Sequence, residues 1–258
     1  MQVPVILLLL GLSFSSFGFA GDAVVDRDAA EYAVDPETVK AFESVDPWES
    51  FNRQMFKFNM MADTYFLKPV SQGYRFVMPT FAYRGVNNIF VNVEEIPTSA
   101  YAILQGKPKS TGNAIGRFLI NFTLGFFGAF DVATQLGLKR QPEDFGQTLA
   151  VWGVPEGPYV VVPLLGPKTV RSGVGTAVDV VADPIYVDDV ALRNSLFALR
   201  FVDKRANLLE GEELITGDPY VFVRDAYLQY REYLIKDGKV EDTFDTEQFD
   251  EDTDWLEE

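Results

Sequence analysis

Ala114 to Ala133 reads AIGRFLINFTLGFFGAFDVA, and between Arg117 and Asp131 the only polar side chains are Asn121 and Thr123. As a helix, the steps from Arg117 to Asp131 cover about 21 Å at ~1.5 Å per residue, against about 30 Å of bilayer hydrocarbon. The stretch is too short to span. Gly125 and Gly128 weaken a continuous helix, so a break or tight turn is expected inside it. Two readings follow: a helix buried in a protein core, or an element dipping into a single membrane leaflet. The rest of the chain has to choose between them.

The chain has 258 residues, of which 47% are hydrophobic, enough for a sizeable core in one large domain or two small ones. Residues 2–20, QVPVILLLLGLSFSSFGFA, form an uncharged apolar block whose Gly18-Phe19-Ala20 precedes Gly21 in a small-x-small pattern. This predicts a signal peptide over residues 1–20 and export, with a transmembrane anchor as the other reading. No Cys and no His occur. Disulfides, thiolate metal sites, Ser-His-Asp and Cys-His nucleophiles and HExxH zinc sites are therefore excluded. An enzyme built on this chain would rely on carboxylates, Lys or Tyr.

The formal net charge is −16, but it sits mostly at the two ends. Residues 21–45 hold seven acids and two bases, and residues 240–258 hold ten acids and no base, leaving −1 for residues 46–239. An acidic N-terminal segment and an acidic disordered tail are expected to flank a nearly neutral folded domain. Nucleic acid, which favours basic surfaces, is not an expected partner.

Asp46-Pro47-Trp48-Glu49 reads as a helix start, with Asp46 as cap, Pro47 in the first helical position and Glu49 completing a capping box. Trp48, Phe51, Met55, Phe58, Ala62 and Tyr65 follow as one apolar stripe at helical spacing. Asp183-Pro184 and Asp218-Pro219 repeat the start signal, which favours caps over catalytic carboxylates. Residues 86–105 read as a helix interrupted at Pro97, with Ile89, Val93, Ile96, Ala100 and Leu104 on one side. Ser110 is the expected cap of the helix that enters the central stretch. After Gln141 the run LAVWGVPEGPYVVVPLLGPKTV, dense in Gly and Pro, predicts a compact loop or irregular hairpin. Helical patterns return over 170–181, over 188–209, where Leu192, Leu196, Leu199, Ala206 and Leu209 face one way, and from Asp218 to Gly238.

Several short motifs dissolve on inspection. Asp144-Phe145-Gly146 matches a kinase triplet, but without His there is no HRD loop and no Gly-rich phosphate loop precedes it. Gly166-Pro167-Lys168-Thr169 lacks the Gly-Lys pair of a phosphate loop, and Pro167 removes a backbone donor, so it reads as a turn. Asn121-Phe122-Thr123 is a formal glycosylation sequon inside an apolar run. Glu94-Glu95, Asp188-Asp189 and Glu212-Glu213 resemble a glycosidase pair only in composition, because adjacent helical residues point in different directions.

Taken together, DPWESFNRQMFKFN (46–59), NVEEIPTSAYAILQGKP, GRFLINFTLGFFGAFDVA, EDFGQTLAVWGVPEGPYVVVPLLGP and DPYVFVRDAYLQYREYL resemble, in order, the MlaA or VacJ-like family of outer-membrane phospholipid transport components. The match runs from Asp46 to Gly238. It implies a mainly α, ring-like single domain with an irregular Gly/Pro-rich hairpin loop, residing in one membrane leaflet around an amphipathic channel. It also implies transport without covalent chemistry and without a cofactor or metal. Phospholipid mislocalised to the outer leaflet would pass to a soluble periplasmic lipid-binding protein and indirectly to an inner-membrane ABC transporter complex, beside a porin trimer. By position, Asp46, Pro47, Phe51, Asn52, Arg53, Phe58 and Asn59 match the family's signature helix and channel. Gly153, Gly157, Pro158 and Tyr159 match its gating loop. The resemblance turns the central stretch toward the leaflet reading, with Phe118, Leu119, Phe122, Leu124, Phe126, Phe127 and Phe130 embedded.

The sequence departs from the family pattern at one point. Where a lipoprotein's acylated Cys would stand, the chain reads Phe19-Ala20-Gly21-Asp22, and Asp22 cannot be acylated. Anchoring to the periplasmic face of the outer membrane would then fall to apolar surface, at about 1.5–3 kcal/mol per buried Phe. Two other functions stay open at this stage: a porin-associated structural protein and a carboxylate-dependent periplasmic hydrolase.

Overall fold

Backbone hydrogen bonding in the computed structural model organises residues 46–185, 187–209 and 217–239, the residues it describes, as helices around one short hairpin. In chain order these are α1 (Glu49–Ala62), a π-helical turn (Asp63–Leu67), α2 (Lys68–Val77), α3 (Thr80–Leu104), α4 (Pro108–Thr123), the single turn α5 (Val132–Gln135) and α6 (Phe145–Val151). The strands β1 (Tyr159–Val162) and β2 (Gly166–Thr169) come next, followed by α7 (Val170–Val181), α8 (Val190–Asn207) and α9 (Pro219–Ile235). The fold is mainly helical and single-domain, as the family resemblance implied. The expected signal peptide and acidic segment (1–45) and the acidic tail (240–258) lie outside the described residues.

Side-chain caps start most of the later helices. Asp131, Asp144, Asp189 and Asp218 each accept a backbone N–H in the first turn of the helix they precede. Thr169 and Ser172 form a reciprocal capping box that joins the end of β2 directly to α7. The antiparallel hairpin pairs Tyr159 with Thr169 and Val162 with Gly166. Its inner face meets α1 and α9 in the apolar core, where Phe56, Tyr159, Val161, Tyr220 and Val223 pack together.

The structure corrects five local expectations. The first helix begins at Glu49 with Trp48 as an N-cap that makes no side-chain bond, so Pro47 lies outside it and Asp46 is not a cap. Asp183-Pro184 forms a turn, in which Asp183 accepts from the Ile185 N–H at 2.9 Å. Helix α3 starts at Thr80 and runs unbroken through Pro97, because packing along α4 outweighs one missing backbone bond. Ser110 lies inside α4, whose first helical residue is Pro108. Finally, the Gly/Pro-rich stretch opens with the short helix α6, and Gly166-Pro167-Lys168-Thr169 is a strand.

The larger finding concerns which side of each helix faces in. On α1 the apolar stripe points outward, with Phe51, Phe58 and, beyond it, Tyr65 exposed, while Asn52, Phe56, Asn59 and Asp63 are buried. On α3, Ile89, Ile96 and Leu104 are exposed while Asn92, Glu95 and Thr98 are buried. On α8, Leu192 and Leu199 face out and Arg193, Asp203 and Arg205 face in. Among the described residues, buried polar and charged residues number 22 and buried apolar ones 13, the reverse of the usual pattern for a domain in water.

Candidate functional site

Charged side chains directed inward need partners, and the interior supplies them. Arg117 on α4 is 1% exposed and donates to Glu95 on α3 at 2.7 Å and to Thr134 on α5 at 2.8 Å. Arg205 on α8 holds Asp63, in the π-helical turn, at 2.8 and 3.1 Å. These bonds fasten helices together across polar faces, so the outer faces are left apolar.

The central stretch closes on itself where its glycines allow. Helix α4 ends at Thr123, and Phe126, Phe127 and Gly128 follow at φ 51°, 57° and 92°. Gly128 donates to the Asn121 carbonyl at 2.8 Å, and a Cβ there would sit 2.9 Å from Asn92, so no larger residue fits. The left-handed conformation at Phe126 and Phe127 costs on the order of 1–3 kcal/mol for each residue. What it gives is direction: Phe126 is 70% exposed and Phe127, Phe130 and Leu124 are also exposed. Phe122 and Leu119 are exposed on α4, and Phe118 is half-buried, stacked on Phe122 at 5.8 Å. The embedded set expected from sequence is thus one outward apolar cluster, with Phe76 and Phe81 exposed elsewhere on the surface. No helix among the described residues is long and apolar enough to cross a membrane.

The signature-helix residues divide by face. Buried Asn52 donates to Asp46 at 2.7 Å and to the Tyr159 carbonyl at 3.1 Å, and accepts from the Val161 N–H at 2.8 Å. Two turns on, Asn59 donates to the Val162 carbonyl at 3.1 Å and accepts from the Leu164 N–H at 2.7 Å. The Asn52 amide therefore bonds the backbone of β1 as a neighbouring strand would, and the Asn59 amide holds the turn that follows β1. Asp46 also accepts the Tyr220 hydroxyl and lies 3.6 Å from Arg224. Arg53 bridges Glu49 and Asp218, both at 2.7 Å, with its guanidinium 4.5 Å from the Tyr220 ring centre. Pro47, Phe51 and Phe58 are exposed.

The residues expected from the resemblance to form a gating loop lead into the hairpin, with Tyr159 the first residue of β1. Gly153 and Gly157 have φ of 85° and 71°, and a Cβ on Gly157 would approach the Val170 Cβ to 3.0 Å. The Pro158 carbonyl accepts from the Val170 N–H at 3.1 Å, and Tyr159 is buried in the core. Of these residues Tyr159 meets the signature helix directly, through its carbonyl bond to Asn52.

Neither set lines the principal cavity, a space of about 720 Å³ bounded by α3, α6, β2, α7, α8 and α9. Its lining is amphipathic. Glu94, Arg140, Asp144, Lys168, Asp179, Arg200 and Arg231 occur alongside Phe197, Phe201, Phe222 and Leu234. Glu94 receives Arg140 at 2.6 Å, Lys204 at 2.9 Å and Arg200. Burial pushes its carboxyl up, but Lys204, Arg200 and Arg140 together hold it well below the usual range. Asp144 caps α6 and receives Arg231, so its carboxyl too stays low despite burial. Asp179, with less compensation, is raised by burial to about 6 although it accepts the Phe145 N–H at 3.0 Å. The Asp144-Phe145-Gly146 triplet thus owes its composition to packing: Asp144 caps, Phe145 packs against Tyr101 and Trp152, and a Cβ on Gly146 would sit 3.0 Å from the Arg231 guanidinium and 3.2 Å from the Ser172 Cα. No local pattern in the sequence points to this cavity, because its charged residues come one or two at a time from separate elements. The nearest signal was charge recurring on otherwise apolar helices.

Comparison with known proteins places these features in a family. Residues 44–234 match the family model described as MlaA lipoprotein. The chain is 34% identical over 201 residues to the intermembrane phospholipid transport system lipoprotein MlaA of Escherichia coli K12, covering 76% of this chain and 80% of that protein. It is 32% identical over 247 residues to an uncharacterised protein of Rickettsia bellii, covering 90% of this chain and 93% of that one. A solved structure reported as the structural basis for maintenance of bacterial outer membrane lipid asymmetry superimposes with a TM-score of 0.65 at 34% identity, over 74% of this chain and 98% of its own.

Proposed function

This chain belongs to the MlaA family, and from that membership we propose that it transports phospholipid without covalent chemistry to maintain outer-membrane lipid asymmetry. In this reading the domain sits on the periplasmic side of the outer membrane, in the inner leaflet, beside a porin trimer. Phospholipid mislocalised to the outer leaflet passes through the amphipathic interior to a soluble periplasmic lipid-binding protein, and from there to an inner-membrane ABC transporter complex. The observation that carries the proposal is the inverted arrangement: helices with exposed apolar stripes surround a cavity whose lining is amphipathic, with ion pairs beside aromatic side chains.

The physical task is to move a charged head past hydrocarbon, where an isolated charge is strongly disfavoured. A cavity whose ion pairs are already formed offers the head a polar surface, while Phe197, Phe201, Phe222 and Leu234 offer the tails an apolar one. In this reading the exposed Phe126, Phe127 and Phe130 anchor the domain in the leaflet.

The test uses intact cells of a Gram-negative host lacking its own MlaA, treated with an external phospholipase that reaches only outer-leaflet lipid. Expression of the full-length chain lowers the lipid hydrolysed. Unchanged hydrolysis with the protein present in the outer membrane, and still bound to a porin, would replace transport with a structural role.

A further inference from the structure

Resting on the lipid-transport reading, we propose that Lys168 is the anchor for the phosphate of a phospholipid headgroup drawn into the cavity. The other cations of the lining are already answered. Arg140 and Lys204 pair with Glu94, Arg200 with Glu94 and Asp183, and Arg231 with Asp144. The Lys168 side chain, half-buried on β2 and part of the cavity lining, makes no hydrogen bond and no ion pair among the described residues. Burial, and then the charge of Arg231, draw its pKa below the ordinary lysine value, so the ammonium is held there at a cost.

Its placement is fixed rather than loose. Pro167 restricts the backbone before it, Thr169 after it is tied into the capping box of α7, and Lys168 itself lies opposite Val160 in the hairpin register. A lysine so placed faces a space that also contains Phe197, Phe201 and Phe222. An entering amphiphile with an anionic head supplies the missing counter-charge through charge-assisted hydrogen bonds and leaves its chains to the aromatic residues. The carboxylates nearest in influence are Asp144 and Asp179. Asp144 is engaged by Arg231, and Asp179, which also lines the cavity, accepts the Phe145 N–H at 3.0 Å. The tetrapeptide that fails as a nucleotide phosphate loop thus presents a single lysine to a lipid phosphate.

The experiment uses the full-length chain in detergent and three probes: phosphatidylethanolamine, diacylglycerol with the same acyl chains, and inorganic phosphate. Lys168→Met is expected to weaken phosphatidylethanolamine binding by about tenfold or more, to leave diacylglycerol binding unchanged and to leave the thermal midpoint no lower. Lys168→Arg restores binding. Equal phosphatidylethanolamine affinity in Lys168→Met and wild type overturns the assignment, as does equal loss of both lipids. Inorganic phosphate competing with phosphatidylethanolamine at equal concentration would show a free-phosphate site and overturn it also. If the wild type binds neither lipid, the lipid-transport reading itself fails.

Discussion

Replacing Asn52 with Ala tests whether the signature helix acts as a clamp on the hairpin. The substitution removes the bonds to Asp46 (2.7 Å), the Tyr159 carbonyl (3.1 Å) and the Val161 N–H (2.8 Å), at a residue that is 0% exposed. Each abandoned buried group costs about 1–3 kcal/mol. With partial relaxation the total is about 3–5 kcal/mol. Equilibrium urea unfolding in mild detergent, followed by near-ultraviolet circular dichroism, measures it. Asn52→Asp keeps an acceptor for Val161 but loses both donations and sets a second carboxylate against Asp46, so it is at least as damaging at pH 7 and recovers partly in acid. Phe51→Ser, one residue away on the exposed face, leaves the unfolding midpoint within about 0.5 kcal/mol of wild type. A loss below about 1 kcal/mol for Asn52→Ala would refute the clamp.

Gly157→Val sets a β-branched residue at φ 71° and a Cβ 3.0 Å from Val170. It should cost about 1–3 kcal/mol and change transport, and unchanged phospholipid asymmetry in cells would count against a moving gate. Arg117→Met abandons buried Glu95 and should destabilise by about 3–5 kcal/mol, most of it recovered in Arg117→Met/Glu95→Met, as measured by the same unfolding assay. Asp179 and Asp203 both have carboxyls raised by burial to about 6. The folded chain then binds more protons than the unfolded one between pH ~4 and ~6, so stability should rise as pH falls from 7 to 5. Asp179→Asn should be more stable than wild type at pH 7 and show a smaller rise, as read from thermal midpoints across that range.

Periodicity in the sequence located the helices, because stripes such as Trp48 to Tyr65 repeat at helical spacing whatever surrounds them. It did not give their orientation. An apolar stripe is assigned to the interior only if the outside is water, and here Asn52, Asn59 and Asp63 hold the inward positions. The turn after Thr123 was legible from Gly125 and Gly128, since no side chain fits where a Cβ on Gly125 would meet the Phe130 carbonyl at 2.2 Å. The unbroken course of α3 through Pro97 was not, because tertiary packing along α4 overrode a local penalty. Nor was the cavity: Glu94 and Arg200 lie 106 residues apart, and Asp144 and Arg231 lie 87 apart. The resemblance to a family supplied what spacing could not, namely the surroundings in which outward Phe side chains make sense.

The most direct test of the account is where the chain stays when outer membranes from a Gram-negative host expressing the full-length protein are washed with high salt. The outward cluster at Phe126, Phe127 and Phe130 predicts retention without acylation, and release of the Phe126→Ser/Phe127→Ser/Phe130→Ser variant into the wash. Quantitative release of the wild-type chain into the soluble fraction would contradict a leaflet-embedded transporter.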